Sequence, residues 1–227
     1  MMPHNFQESL ADYGRWLELW VELARVMEHE EGGIAWIERT WNQVNQLLGY
    51  TLSLHSEAIQ AQHPFPAAGL IVGPAEHDTC AYYGPFFSIS AWTWRGWQAV
   101  YSFLMDTGAT LPQAVAHQQA LPSRMEQLSS ALDAAVNASL VKNETNQPYF
   151  LPPLAQVNAT PYTSMIMRGA PGTSGSSSYA NFRYYAEMLS SGYFSDDIAH
   201  AISEFRETHT GTLSGMTRFL DHLDDMP

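Results

Sequence analysis

The chain has 227 residues, 45% of them hydrophobic and 12% aromatic, which is enough apolar material for one large core. Lys plus Arg is 10 against 23 Asp plus Glu, a formal net charge of −13 with Lys142 the single lysine, so the surface repels phosphate backbones and anionic lipid and argues against nucleic-acid or membrane partners. Cys80 is the only cysteine, which excludes an internal disulfide and a cysteine-rich metal site.

No apolar run reaches the length of a membrane span, and MMPHNFQESLADYG at the start lacks the basic-then-apolar order of a signal peptide. A cytoplasmic protein is therefore expected. Asn137-Ala-Ser, Asn143-Glu-Thr and Asn158-Ala-Thr then read as chance glycosylation triplets.

From Phe6 to Glu30, Leu10, Tyr13, Leu17, Trp20, Leu23, Ala24 and Met27 recur at three- and four-residue intervals, which predicts a helix stopped by Gly32-Gly33. A second helix is predicted from Ile34, with Ile37, Trp41, Val44, Leu47 and Leu48 inward, continuing toward Ile59. Between Gln62 and Pro85, His63-Pro-Phe-Pro, Gly73-Pro74 and Gly84-Pro85 predict a loop with one apolar run, Leu70-Ile-Val.

Residues 82–103, YYGPFFSISAWTWRGWQAVYSF, hold nine aromatic rings and one charge, Arg95. Gly84-Pro85 is a good helix start, and the run has no breaker before Gly108, so an aromatic helix at the centre of the fold is expected. Phe86, Ser90, Trp94, Trp97 and Tyr101 fall on one face of it. Such a face suits a packed core first, and it also suits a flat aromatic ligand or a macrocycle. Ser88 and Ser90 put hydroxyls among the rings, where each needs a partner.

Leu111-Pro112 opens a short helix to Gln119, and Leu121-Pro122-Ser123 starts a longer one with Met125, Leu128, Leu132, Val136 and Leu140 in a stripe. Residues 143–171 are the least regular part. Helices resume near Ser178, with Phe182, Tyr185, Ala186 and Leu189 inward, then run from Ser195-Asp-Asp to Thr208 and from Leu213 to Leu223. Strand patterns are nearly absent, so the expected class is all-α in one domain. Its parts are N-terminal helices 1–61, a connecting loop 62–85, and a core helical part 86–227 carrying a Gly/Ser loop at 169–178.

That loop follows Arg168 and feeds a helix start near Tyr179. Free N–H groups and hydroxyls there, with a guanidinium beside them, suit a carboxylate or phosphate. No Gly-Lys-Ser/Thr follows, so it is not a phosphate loop of the nucleotide-binding kind. The nine histidines are scattered, and Asp197-x-x-His200 is a single carboxylate–histidine pair where a bundle-type di-iron site needs two. Cys80 has no His/Asn framework, and no nucleophile elbow is present.

Three segments in order resemble the indoleamine and tryptophan 2,3-dioxygenase superfamily of all-α, histidine-ligated heme enzymes. Cys80-Ala-Tyr-Tyr-Gly-Pro-Phe-Phe-Ser-Ile-Ser90 resembles the family's distal-side segment, which implies a substrate-contacting ring at Phe86 and a distal hydroxyl at Ser90. Gly172-Thr-Ser-Gly-Ser-Ser-Ser178, with Phe182-Arg183 and Glu187-Met-Leu, resembles the Ser/Gly loop over the heme edge. Ile202-Ser-Glu-Phe-Arg-Glu-Thr-His, with Arg218-Phe-Leu, resembles the helix pair that follows it.

The resemblance implies a multi-helix bundle of the indoleamine 2,3-dioxygenase type with long irregular connections. It also implies a heme cofactor and O₂ insertion into a small aromatic substrate, an indole or related amino-acid derivative, with Ser90 in the catalytic position. Phe86, Arg168, Thr173, Ser174 and Gly175 would bind the substrate. The family's arginine has no counterpart between Tyr149 and Asn158, and Arg168 is the substitute. The family's proximal histidine lies on a helix beyond the last match, which this chain is expected to lack. His200, His209 and His222 are the weak candidates left for the iron. The alternatives are a non-catalytic helical protein of the same ancestry holding a small aromatic ligand or a protein partner, and a non-heme metal enzyme using Asp197 and His200.

Overall fold

In the computed structural model the chain is mostly helical, and the structure describes residues 9–74, 83–107, 111–167, 177–219 and 222–223. Helix α1 (Leu10–Met27) and helix α2 (Gly33–Gln60) form a hairpin, with Gly32 at φ 78° making the turn that a side chain would strain. Leu17, Trp20 and Ala24 of α1 are inward, as the spacing predicts, and Val21 joins them, whereas Leu23 is turned out to solvent. The stripe on α2 runs Trp41, Val44, Leu48, Thr51 and His55, one turn at a time.

After α2 the chain crosses as a loop, and the buried Leu70 and Ile71 pin it to the core. Strand β1 (Gly73–Pro74) pairs antiparallel with β2 (Tyr83–Gly84) just before the aromatic helix, α3 (Phe87–Asp106). The start of α3 is fixed from outside: Phe86 bridges Leu154, the Phe87 N–H donates to the Pro153 carbonyl, and the Ala155 N–H donates to that of Pro85. Every residue from Phe86 to Thr93 is buried, so α3 is a central helix covered on all sides in its first two turns. Gly14 of α1 lets that helix lie on it, since a Cβ there would stand 2.0 Å from the Trp92 carbonyl oxygen.

The predicted break at Pro122 is corrected by the structure. Helix α4 (Ala114–Ser139) runs through it as one element. Pro122 is on the exposed face, and the loss of one helical bond, about 3 kcal/mol, is offset by the buried stripe Ala114, Leu121, Leu128 and Leu132 on both sides of it. Strands β3 (Val141–Lys142) and β4 (Pro148–Phe150) follow as a small hairpin closed on the side chain of Asn143.

A helix then begins as α5 (Ser177–Tyr179), passes through a π turn (Ala180–Tyr184), and ends as α6 (Tyr185–Ser190). The wider turn rotates the face, so Ala180, Asn181, Tyr184, Tyr185 and Met188 point inward instead of the predicted Phe182 and Ala186. Helix α7 (Asp196–Thr208) opens on Asp196 and Asp197, which complement its dipole.

The predicted last helix is also corrected: the described residues there form strands β5 (Thr212–Leu213), β6 (Met216–Phe219) and β7 (His222–Leu223) in one antiparallel sheet. Ser214 at φ 52° and Gly215 at φ 82° form the two-residue turn between β5 and β6, a turn that needs positive φ at both positions.

Candidate functional site

Phe86 and Ser90 both sit in the centre of the core. Phe86 is 1% exposed, its ring 5.0 Å from that of Tyr184. Ser90 is 0% exposed, and its Oγ accepts the Ile71 N–H at 3.1 Å. The hydroxyl therefore ties the connecting loop to α3. Ser88, the second residue of the helix, is also buried and its Oγ has no partner among the described residues.

Arg168, Thr173, Ser174 and Gly175 lie outside the described residues. The described residues on either side of them, Met167 and Ser177, are held together, because the Met167 N–H donates to Ser177 Oγ at 3.1 Å and Ser178 Oγ donates to the Met167 carbonyl at 3.1 Å. Ser177 and Ser178 are themselves buried.

The histidine candidates are not brought together. His200 is on the exposed side of α7 beside the exposed Asp197. The His209 ring stacks on Phe205 at 3.8 Å and 14°, with Nδ1 bonded to the Phe205 carbonyl at 2.9 Å and Nε2 to Tyr149 Oη at 3.2 Å. Both its nitrogens are engaged. His222 is described only as part of β7. Among the described residues no group of three His, Cys, Asp or Glu side chains is placed to hold a metal ion.

A heme needs an imidazole with a free nitrogen facing an open slot. Both nitrogens of His209 are engaged, so His209 offers none, and Ser90 Oγ is already bonded to the Ile71 N–H.

Another histidine has the free nitrogens. His55 is 0% exposed, and neither ring nitrogen has a partner among the described residues. Its ring meets Trp97 edge-on at 5.5 Å, while Trp97 Nε1 donates to Thr51 Oγ1 at 2.8 Å. Burial, and secondarily the positive charge of Arg124, lower its pKa to about 4, so it is a neutral imidazole at neutral pH. The sequence signal is its place seven residues after Leu48 on the apolar stripe of α2.

An open concavity lies elsewhere, between α1 and α2. It is a cavity of about 290 Å³ lined by Trp16, Leu17, Leu19, Trp20, Leu23, Trp36, Thr40, Gln43, Val44 and Leu47. Trp16 is 61%, Leu19 48% and Leu23 47% exposed, so one wall faces solvent. The floor is rigid: Trp20 and Trp36 stack at 6.3 Å and 15°, Trp20 Nε1 donates to Thr40 Oγ1 at 2.9 Å, and that hydroxyl donates to the Trp36 carbonyl. No charged residue lines it. The hydrophobic spacing of α1 shows these side chains in sequence but not that Leu23 and Trp16 point away from the core. No family model, no curated protein and no solved structure matches the chain.

Proposed function

We propose that the chain is a helical binding module that takes an apolar segment of a protein partner in the groove between α1 and α2. The observation that carries this is the solvent-facing wall of Trp16, Leu19 and Leu23 beside a braced floor of Trp20 and Trp36, with no charged lining residue. Large apolar side chains held open to water in this way mark interaction sites. The volume, 290 Å³, lies at the lower edge of the roughly 300–1,000 Å³ typical of small-molecule sites and suits one or two anchor side chains of a helix better than a whole ligand.

The test is a synthetic amphipathic helical peptide with a leucine stripe and uncharged flanks, titrated while following tryptophan emission. Saturable binding that weakens about tenfold or more in Leu23→Asp supports the reading. Because Leu23 is exposed, circular dichroism should show the variant folded. Binding that ignores the substitution removes the groove as the site.

The oxygenase reading is the second proposal. Ser88 Oγ, buried without a partner two residues after Phe86, is in its favour, and the close packing at Ser90 is against it. Hemin titration decides it: a Soret band that shifts on reduction and with CO supports an oxygenase, and unchanged free-hemin absorbance removes it.

A further inference from the structure

The groove has a length, a direction and a charge, and together these specify its occupant. Trp16, Leu19, Leu23 and Val26 recur at helical spacing along the outside of α1, and all four are exposed. Ten residues of helix cover about 15 Å, so the wall matches roughly three turns of a second helix laid alongside. On α2 the facing positions, Thr40, Gln43 and Leu47, are uncharged, so nothing in the wall opposes an apolar stripe.

Charge lies around the groove instead of in it. Residues 10–60 hold eight carboxylates against three arginines, Arg15, Arg25 and Arg39. Arg15 already faces Asp12 and Glu187, and Arg25 faces Asp106, so two of the three are neutralised within the fold. At the turn that joins α1 to α2, Glu28, Glu30 and Glu31 form no ion pair among the described residues, and Glu30 and Glu31 are exposed. One end of the groove is thus acidic, on a chain whose formal net charge is −13.

We infer that the occupant is a cationic amphipathic helix of a partner protein, with an apolar stripe for the Trp16–Leu23 wall and Lys or Arg flanks for the Glu28–Glu31 turn. This rests on the groove reading above and adds the charge of the partner to it. A second copy of this chain would bring a like charge of −13 against the first, which disfavours it as the occupant. The apolar stripe supplies the affinity, and the flanking charge supplies orientation and rate of encounter.

The experiment compares two peptides sharing one leucine stripe, one with Lys/Arg flanks and one with Glu flanks, against the full chain. At about 0.05 M salt the basic peptide should bind at least tenfold more tightly, with the ratio shrinking toward unity at about 0.5 M as screening sets in. In Glu30→Gln/Glu31→Gln the same ratio should fall roughly threefold. Equal binding of both peptides, each weakened by Leu23→Asp, overturns the charge inference and leaves the groove reading standing. Failure of Leu23→Asp to affect either peptide overturns both. A dimer in analytical ultracentrifugation that Leu23→Asp dissolves makes a second copy the occupant and overturns the inference as well.

Discussion

A side-chain carbon on Gly96 would stand 2.6 Å from the carbonyl oxygen of Gly14 and 2.9 Å from its Cα, so α1 and α3 touch backbone to backbone at this pair. Closeness here holds the hairpin, and with it the groove, against the central helix. Gly96→Ala should therefore lower stability by about 2 kcal/mol or more. Alanine is the better helix former by about 1 kcal/mol, so a net loss isolates the packing. A urea midpoint that stays put or rises would show that the helices do not cross this closely.

Ser90 offers a test of what the hydroxyl does. It is the acceptor for a buried N–H, that of Ile71. Ser90→Ala leaves that donor unpaired and should cost roughly 1–3 kcal/mol, read as a lower thermal midpoint. A hydroxyl kept only for a ligand would leave the midpoint of the ligand-free protein unchanged.

His55 makes stability depend on pH. Its pKa is lowered from the ordinary 6.5 to about 4 by burial. Above 6.5 the imidazole is neutral whether folded or unfolded, and its contribution is fully present. As pH falls from 6.5 to about 4 the unfolded chain takes a proton that the native state refuses, so stability drops by up to roughly 3 kcal/mol, and the slope ends below about 4. His55→Leu removes the titrating group together with two unpartnered nitrogens. The variant should lose this part of the slope while staying within about 1 kcal/mol of the parent at pH 7. Parallel unfolding curves for the two proteins between pH 6.5 and 4 would refute the assignment.

Asn181 is the knot of the C-terminal hairpin. Its amide donates to the carbonyls of Gly211 and Arg218, both at 2.7 Å, and its Oδ1 accepts from Arg206 Nε at 2.9 Å. Asn181→Ala cuts all three bonds in a site that is 0% exposed and should cost about 2–3 kcal/mol. Hydrogen exchange should show the loss at β5 and β6 first, with α3 still protected. Uniform loss across the chain would instead make Asn181 part of the main core.

Much was determined by local periodicity. The mostly helical class, the two helices α1 and α2 on either side of Gly32-Gly33, the aromatic helix at the centre and the start of α7 on Asp196-Asp197 follow from spacing and capping chemistry, because a helix sorts its faces within a few residues. Where the reading departed from the structure, distant contacts had decided. Pro122 stays within one helix because buried residues on both sides offset its missing bond, and the π turn at Ala180–Tyr184 rotates a face that a regular period assigns otherwise. Ser214-Gly215 becomes a tight turn between strands held by Asn181, which is thirty residues away from Gly211.

Site residues divided along the same line. The rings and hydroxyls of residues 86–90 were legible as types, but only packing shows Ser90 bonded to Ile71 and the open face moved to Trp16, Leu19 and Leu23. A sequence lists which side chains are apolar. Which of them remain in contact with water is set by how neighbouring helices cover one another, and that is a property of the assembled fold alone.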